Sequence, residues 1–360
     1  MSITEPPVAQ IEPAPEPERP RRRRGLINLL IFFLALAALF GAGALYVRSV
    51  AAGVAGAGVP VKVVVPKGAS AARIADLLAS KDVIDNAWIF KLVARLDGRA
   101  GTLKPGEYDL ETGMSFSEVL DTLEDGPVIE LERVTIPEGK TVGEVVDIIR
   151  RRTSVSASAF QAEIDSGRYR LPVMPAGVKT LEGLLFPKTY DIRKGTTPGQ
   201  VLQMMLDQFT DETRALDYSS AKANLTPYQV VVAASLIERE AKIAEDRPKI
   251  AGVIYNRLAR GMRLQIDATV QYAYLMKTGS YKSRLTYADY EIDHPYNTYR
   301  IDGLPPGPIA SPGLDSIVAM IEPAQTDAIY YVLCDPRGGH AFASNASEFE
   351  RLKRECASKR

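Results

Sequence analysis

The hydrophobic and polar positions form three different patterns along the chain. Leu26 to Val47 is a run of 22 residues without a charge. As a helix this run is about 33 Å long, enough to cross a bilayer core of roughly 30 Å. Residues 63–78 and 133–149 each suggest a β-branched strand, a Pro-x-Gly turn, a capping residue and an amphipathic helix. From about residue 200 the spacing becomes mainly helical, so the sequence predicts an α+β fold.

The patterns divide the chain into six predicted regions. Strand–turn–helix units of the kind at 63–78 and 133–149 resemble LysM-type glycan-binding modules, but many α+β domains contain such units, so a purely structural interpretation stays open. The predicted regions are a disordered tail (1–24), a transmembrane helix (25–48), a small-residue linker (49–60), a first LysM-like region (61–130), a second strand–turn–helix region (131–199) and a mainly helical domain with a small β component (200–360).

The charges beside the apolar run predict its orientation. Four arginines, 21–24, lie on its N-terminal side, so the positive-inside rule places the tail in the cytoplasm and residues 49–360 outside. The alternative is a cleaved signal peptide, with Ala55-Gly56-Ala57 as the cleavage site, although the apolar run is longer than a signal h-region of about 7–15 residues. We therefore expect a single-pass protein of the plasma (inner) membrane.

Composition excludes several classes of function. Lys+Arg and Asp+Glu are both 44, so no basic field predicts binding to nucleic acid. Two histidines and two cysteines are too few for a convincing metal cluster. Neither a P-loop nor a dinucleotide-binding glycine motif is present, and we expect no cofactor. A chain of this size can fold without a disulfide, so pairing of Cys334 with Cys356 stays open.

The candidate chemistry begins with two glutamates in an apolar helix. Thr226, Pro227 and Gln229 predict its start, with a capping box. Glu238 and Glu240 are two residues apart and point roughly 200° from each other. Glu238 shares its face with Lys242, an ion-pair partner four residues on, which predicts a structural role.

Glu240 instead shares its face with an apolar stripe. The stripe consists of Ala233, Leu236, Ile237 and Ala244. Burial there raises the pKa of a carboxyl group toward the range of a general acid. The alternative is a core carboxylate satisfied by a buried arginine, Arg257 or Arg263.

Groups suited to a carbohydrate follow this helix within about 60 residues. Amides bind sugar hydroxyls and aromatic rings pack against sugar C–H surfaces, although any one tyrosine can equally be packing. These candidates are Tyr255, Asn256, Arg257, Gln265, Asp267, Thr269, Tyr272, Tyr296, Asn297 and Tyr299.

Several longer motifs lie along the chain. They are Ala234-Ser235-Leu236-Ile237-Glu238-Arg239-Glu240-Ala241, Asn256-Arg257-Leu258, the run from Gly261 to Val270, Tyr296-Asn297-Thr298-Tyr299, the run from Gly303 to Ile309, the run from Leu181 to Tyr190, and Gly338-Gly339-His340-Ala341-Phe342. Together these motifs resemble one family, the YceG-like endolytic murein transglycosylases. The match covers about residues 60 to 350, and its departures, at Ile266, Ala268 and Lys188, are small.

The resemblance implies an activity and a set of site residues. Family members cut peptidoglycan glycan strands within the chain and leave 1,6-anhydro-N-acetylmuramic acid ends, so residues 200–360 are the expected catalytic domain. Glu240 is the expected catalytic acid. Glu182, Gln265, Asp267, Asn297 and Tyr299 are expected substrate or support positions. Work beside peptidoglycan synthases is a further expectation, while a lysozyme-like hydrolase and a non-catalytic glycan-binding scaffold are the alternatives.

Overall fold

The described part of the chain consists of helices and three small two-stranded antiparallel sheets, the mixed helix and sheet architecture that the sequence predicts. The structure is a computed structural model and describes residues 21–53, 58–128 and 130–359. The chain divides into two compact units, residues 1–128 (unit 1) and 129–360 (unit 2). Each unit has its own hydrophobic core.

Unit 1 contains a long helix followed by a small mixed domain. The strands β1 and β2 pair antiparallel, with Val63 opposite Tyr108. The core between sheet and helices includes the rings of Phe90 and Phe116, which meet edge to face at 5.3 Å. The elements are α1 (Arg21–Ala51), β1 (Pro60–Val65), α2 (Ala71–Ser80), α3 (Ala87–Leu96), β2 (Gly106–Glu111) and α4 (Phe116–Asp125).

The predicted apolar helix is present and longer than expected. Its apolar part, Leu26–Ala51, is long and apolar enough to span a membrane. The helix extends to Ala51, into the predicted linker 49–60. Near the C-terminal end of that linker, Gly58 lies against the backbone of Thr112. The predicted tail up to residue 20, and residues 54–57 with the alternative cleavage site, lie outside the described residues.

Unit 2 holds the remaining elements. The strands pair as β3 with β4 and β5 with β6. The disulfide Cys334–Cys356 joins the residue after β5 to the last helix. The elements are β3 (Leu131–Thr135), α5 (Val142–Arg152), α6 (Ala157–Asp165), β4 (Thr189–Arg193), α7 (Pro198–Thr213), α8 (Pro227–Glu240), α9 (Arg247–Ala259), α10 (Asp267–Thr278), α11 (Leu314–Ile321), β5 (Tyr330–Leu333), β6 (His340–Ala343) and α12 (Ala346–Ala357).

The same β-α-α-β-α order occurs twice, as β1-α2-α3-β2-α4 and as β3-α5-α6-β4-α7. One detail repeats inside it: the hydroxyls of Tyr108 and Tyr190 each donate to the carbonyl four residues earlier, at 2.7 and 2.6 Å. The two similar segments seen in the sequence are thus parts of larger units. The second of them lies in the same unit as the helical region that follows.

Candidate active site

The two ends of helix α8 determine where its glutamates lie. The predicted capping box is confirmed, since the Thr226 side chain accepts from the Gln229 amide and Gln229 accepts from Thr226 in return. Every residue from Val230 to Ile237 is buried. The helix ends at Glu240, and Ala241 is extended. The carboxyl group of Glu240 is therefore carried by the last helical residue, where the helix dipole disfavours negative charge.

Two donors hold the half-buried Glu240 carboxylate. The Tyr331 hydroxyl, from β5, donates to its Oε2 at 3.2 Å. The backbone N–H of Ala268, in the first turn of α10, is the second donor. Neither arginine of the alternative interpretation is among these donors: Arg257 donates to the carbonyls of Leu264 and Ile329, and Arg263 to Asp302.

The pKa of Glu240 is raised to about 7, mainly by burial and in part by the nearby negative charge of Asp267. The hydrogen bonds from Tyr331 and Ala268 act in the opposite direction because they stabilise the carboxylate. The positive charge of Arg239 also lowers it. The balance keeps a substantial fraction of Glu240 protonated near neutral pH, as a proton donor requires.

Asp267 lies beside Glu240 and is exposed. Its Oδ1 accepts the Tyr299 hydroxyl at 2.6 Å, and its Oδ2 accepts the Tyr290 hydroxyl at 3.4 Å. The rings of Tyr290 and Tyr299 lie 4.5 Å apart and tilted by 53°. Two of the predicted binding residues, Asp267 and Tyr299, are thus brought together next to Glu240, with a second tyrosine that the sequence argument did not single out.

Gln265 is exposed two residues before Asp267, on a strained backbone. Its φ is +51°, a conformation that non-glycine residues seldom adopt. The backbone N–H of Gln265 donates to Thr298 O at 3.1 Å, and its Oε1 accepts from Arg257 at 3.4 Å. The buried Arg257 side chain also binds the carbonyls of Arg263 and Leu264, so it fixes the segment that carries Gln265 and Asp267.

Asn297 is fully buried, and its side chain stabilises the loop that contains it. Its Nδ2 donates to the carbonyls of Tyr290 and Ile292, both at 2.8 Å, and its Oδ1 accepts the N–H of Tyr299 at 3.0 Å. Its amide therefore holds both tyrosines that contact Asp267. Of the two roles predicted for this residue, the contacts favour support.

Glu182 is a second buried carboxyl group of unit 2. Only 5% of it is exposed. Its carboxylate accepts the Val142 N–H at 3.0 Å, at the start of α5, and the Tyr272 hydroxyl at 3.2 Å. Burial raises its pKa to about 7. Its hydrogen-bond partners differ from those of Glu240, although both carboxyls are held by α10, through Tyr272 for Glu182 and through Ala268 for Glu240.

Glu238 is held in place by three groups. Its Oε2 accepts the Ser316 hydroxyl at 2.7 Å and the Gly313 N–H at 3.1 Å, and its Oε1 lies 3.7 Å from the Arg247 guanidinium. Only 7% of its side chain is exposed. These contacts fit the predicted structural role, but the predicted partner was wrong. Because α8 ends at Glu240, Lys242 is not on the same helix.

The turn of the second strand–turn–helix region also contacts the end of α8. Arg239 donates to the Gly139 carbonyl at 2.9 Å, and the Gly139 N–H donates to Ser311 O at 2.8 Å. Gly139 has a φ of +71°, which suits glycine at this turn. The predicted Pro-x-Gly turn therefore supports the helix end that carries both glutamates.

The hairpin β5–β6 holds Tyr331 against Glu240. Asp246 is buried and accepts both the backbone N–H of His340 at 2.7 Å and its ring Nδ1 at 3.0 Å. The His340 ring meets the Tyr331 ring edge to face, 5.4 Å between centres. Asp246 and His340 thereby join the segment after α8 to β6, the strand that pairs with β5 and its Tyr331.

Sequence reasoning missed Tyr331, Tyr290 and the pairing of Asp246 with His340. Tyr331 is 91 residues from Glu240 and has no local pattern to connect them. His340 alone had a signal in the sequence, because it belongs to the motif Gly338-Gly339-His340-Ala341-Phe342, but its role could not be predicted from that motif.

Comparison with known proteins identifies the family. The profile of the YceG-like family matches residues 63–355, most of the chain. The chain belongs to the YceG-like family. A solved crystal structure of a yceG-like protein from Listeria monocytogenes is similar, with a TM-score of 0.52 and 31% identity, over 82% of this chain and 99% of that one.

Two curated proteins of the same family carry a functional name. The endolytic murein transglycosylase of Bacillus subtilis (strain 168) is 33% identical over 307 residues, which is 81% of this chain and 84% of that protein. The endolytic murein transglycosylase of Streptococcus pneumoniae (strain R6) is also 33% identical, over 321 residues. That match covers 81% of this chain and 57% of the Streptococcus protein.

Proposed function

We propose that this protein is an endolytic murein transglycosylase, a lyase that cuts peptidoglycan glycan strands at internal positions. Membership of the YceG-like family and 33% identity to proteins of that name over 81% of the chain support this activity. The observation that carries the chemistry is the protonatable Glu240 at the end of α8, beside the exposed side chain of Asp267.

Glu240 is the proposed acid and base, and it needs no second carboxyl group. Protonated Glu240 donates its proton to the 4-oxygen that leaves C1 of an N-acetylmuramic acid residue, and the C1–O bond breaks. The C6 hydroxyl oxygen of the same sugar bonds to C1, and the Glu240 carboxylate takes the proton from that hydroxyl. The proton on Glu240 is restored, water is not consumed, and the new end is a 1,6-anhydro sugar. A pKa of about 7 suits both steps.

The neighbouring residues receive two kinds of role. Asp267, Gln265 and Tyr299 are the proposed substrate-binding groups, because they lie at the exposed side of Glu240. Asn297 and Glu182 are proposed support positions, because both are buried and their hydrogen bonds go to other parts of the protein. Tyr331 is a positioning residue that fixes the Glu240 carboxylate.

A lysozyme-like hydrolase is the second candidate, and one observation favours it. Asp267 is a second carboxyl close enough to raise the pKa of Glu240. Hydrolases place two carboxyls about 5 Å apart for retention or about 6.5–9.5 Å apart for inversion. A non-catalytic glycan-binding scaffold is the third, because the β-α-α-β order of unit 1 suits a LysM-like module. We propose that module as an accessory glycan-binding domain.

Location follows from the apolar helix α1. We propose that it crosses the inner membrane once, with the N-terminus in the cytoplasm and residues 49–360 outside, as the arginines at 21–24 predict. An enzyme tethered in this way acts on new glycan strands close to the bilayer and ends their elongation. Peptidoglycan synthases, which make those strands, are the proposed partners.

Digestion of purified peptidoglycan tests the proposal. The full-length protein in detergent is incubated with uncleaved glycan strands, and mass spectrometry identifies the new ends. Anhydromuramic ends are expected from internal positions. Reducing muramic ends would assign the hydrolase instead, and no new ends from a folded protein would leave only the scaffold.

A further inference from the structure

Helix α3 of unit 1 has an apolar stripe that the core does not use. Ile89, Phe90 and Ala94 of this helix are buried. Trp88, Leu92 and Leu96 are 68%, 36% and 76% exposed. Because they are spaced by four residues, these three side chains lie along one side of the helix and form a continuous surface. We call Trp88, Leu92 and Leu96 the α3 stripe; large exposed apolar surfaces of this kind mark sites of interaction.

The end of α1 joins the same small domain. Val47, Val50 and Ala51 pack against the core of unit 1, and α1 contacts α3. Before this turn, every residue from Leu26 to Tyr46 is exposed. That exposed part is 21 residues long, about 31 Å as a helix, which is the thickness of a bilayer core. The domain therefore begins where the membrane-spanning part of α1 ends.

This contact fixes the depth of α3. Val47 to Ala51 extends about 6 Å along the helix axis, and the headgroup layer on each side of a bilayer core is about 5–7 Å thick. The turn that α3 contacts therefore lies at the level of the headgroups. An element packed against that turn lies at the membrane surface as well.

The chemistry of the α3 stripe suits this depth. Tryptophan prefers the boundary between acyl chains and headgroups, and leucines beside it add buried apolar area. Exposed arginines flank the contact, Arg95 on α3 and Arg48 on α1, and both can reach lipid phosphates. We propose that the α3 stripe inserts into the outer surface of the bilayer that α1 spans, so that unit 1 lies on the membrane. This inference rests on the membrane anchoring proposed above.

The chain supplies its own probe, because Trp88 is its only tryptophan. The full-length protein is reconstituted into vesicles of phosphatidylethanolamine and phosphatidylglycerol, with or without lipids brominated near the headgroup. Trp88 emission is expected to shift to the blue, to lose most of its intensity with brominated lipid, and to resist quenching by acrylamide. Emission typical of water, with strong acrylamide quenching and no effect of brominated lipid, would overturn the proposal.

Other occupants give different results, and each also contradicts the proposal. A second copy would protect Trp88 from acrylamide without quenching by brominated lipid, and the protection would depend on protein density in the vesicle. A glycan partner would change the emission only when glycan strands are added. Flotation of the protein with the vesicles, together with protease accessibility of residues 58–360, tests the anchor separately, so a failure of anchoring is distinguishable.

A pair of variants completes the test. Leu92→Asn combined with Leu96→Asn removes two apolar members of the α3 stripe at exposed positions, and we expect Trp88 to become accessible to acrylamide. Met276→Asn, at a 57% exposed position of unit 2, is the matched control and should leave Trp88 unchanged. Equal quenching in both variants and the natural chain would contradict a role for the leucines in insertion.

Discussion

Two glutamates of unit 2 have closely similar hydrogen-bond partners. The carboxylates of Glu240 and Glu182 each accept a tyrosine hydroxyl at 3.2 Å, from Tyr331 and Tyr272. Each also accepts a backbone N–H from the first turn of a helix, α10 for Glu240 and α5 for Glu182. Burial is the main cause that raises the pKa of both to about 7.

Glu240 and Glu182 differ in their exposure to solvent and in the residues around them. Glu182 is 5% exposed and is enclosed by its partners. Glu240 is half-buried at a helix end, near the exposed Asp267. A raised pKa therefore does not by itself identify a catalytic acid. Access for a substrate, together with groups able to bind it, separates the two.

The largest expected difference is between Glu240→Gln and Glu182→Gln. Removing the proton donor at 240 should lower the rate of glycan cleavage by about 1,000-fold or more, because general acid–base catalysis contributes about 10²–10⁴-fold. The Glu182→Gln enzyme should retain most of its activity. Release of soluble fragments at pH 6 measures both rates, and circular dichroism checks folding. Equal losses in two folded variants would remove the distinction.

The two tyrosines give a second matched pair. Tyr331→Phe should lower the cleavage rate by about 10–100-fold, since a hydrogen bond to a charged group contributes about 1.5–3 kcal/mol. It should also move the alkaline decline in activity to higher pH, because the lost hydrogen bond stabilised the Glu240 carboxylate. Tyr272→Phe should lower the melting temperature and leave the pH profile unchanged. A pH profile unchanged in Tyr331→Phe would indicate a merely structural tyrosine.

Asp267→Asn should shift the pH profile in the opposite direction. The natural enzyme is expected to lose activity as the pH rises through about 7, where protonated Glu240 is depleted. Without the negative charge of Asp267 the pKa of Glu240 falls, so the decline should begin at lower pH. The midpoint of kcat/KM against pH is the measurement. A midpoint that rises would show that Asp267 acts on Glu240 in another way.

The last comparison concerns stability, where no effect on catalysis is expected. The pKa of Glu182 is raised in the folded state, from 4.5 to about 7, so the folded state binds its proton more strongly than the unfolded chain does. This contribution is complete below pH 4.5 and is lost as the pH rises through about 7, about 3 kcal/mol in all. Glu182→Gln should remove this loss. Urea unfolding followed by circular dichroism at pH 4.5 and 8 tests it; an unchanged pH dependence would contradict the assignment.

The sequence was sufficient for features set by local chemistry. The capping box of Thr226 and Gln229, and the burial of Val230 to Ile237, follow from residue type and helical spacing. The opposite facing of Glu238 and Glu240 follows from geometry alone.

Features set by distant contacts could not be predicted in this way. Residues 241–247 contain no glycine or proline, so no local signal predicts that α8 ends at Glu240. The β5–β6 hairpin packs against the segment after α8. Gly338 approaches Lys242 so closely that a Cβ atom on Gly338 would lie 2.3 Å from the Cβ of Lys242. His340 also binds Asp246 of that segment. The same hairpin supplies Tyr331. Packing of the β5–β6 hairpin therefore accounts both for the position of the helix end and for the partner of Glu240, the last helical residue.

Glu240 is proposed to work with the C6 hydroxyl of the substrate in place of water. Digestion of peptidoglycan in water enriched in ¹⁸O distinguishes these two nucleophiles. Attack by the C6 hydroxyl gives new muramic ends that are 1,6-anhydro sugars without ¹⁸O, and Glu240→Gln should give no such ends. Reducing ends that carry one ¹⁸O atom would contradict it, because they require attack by water.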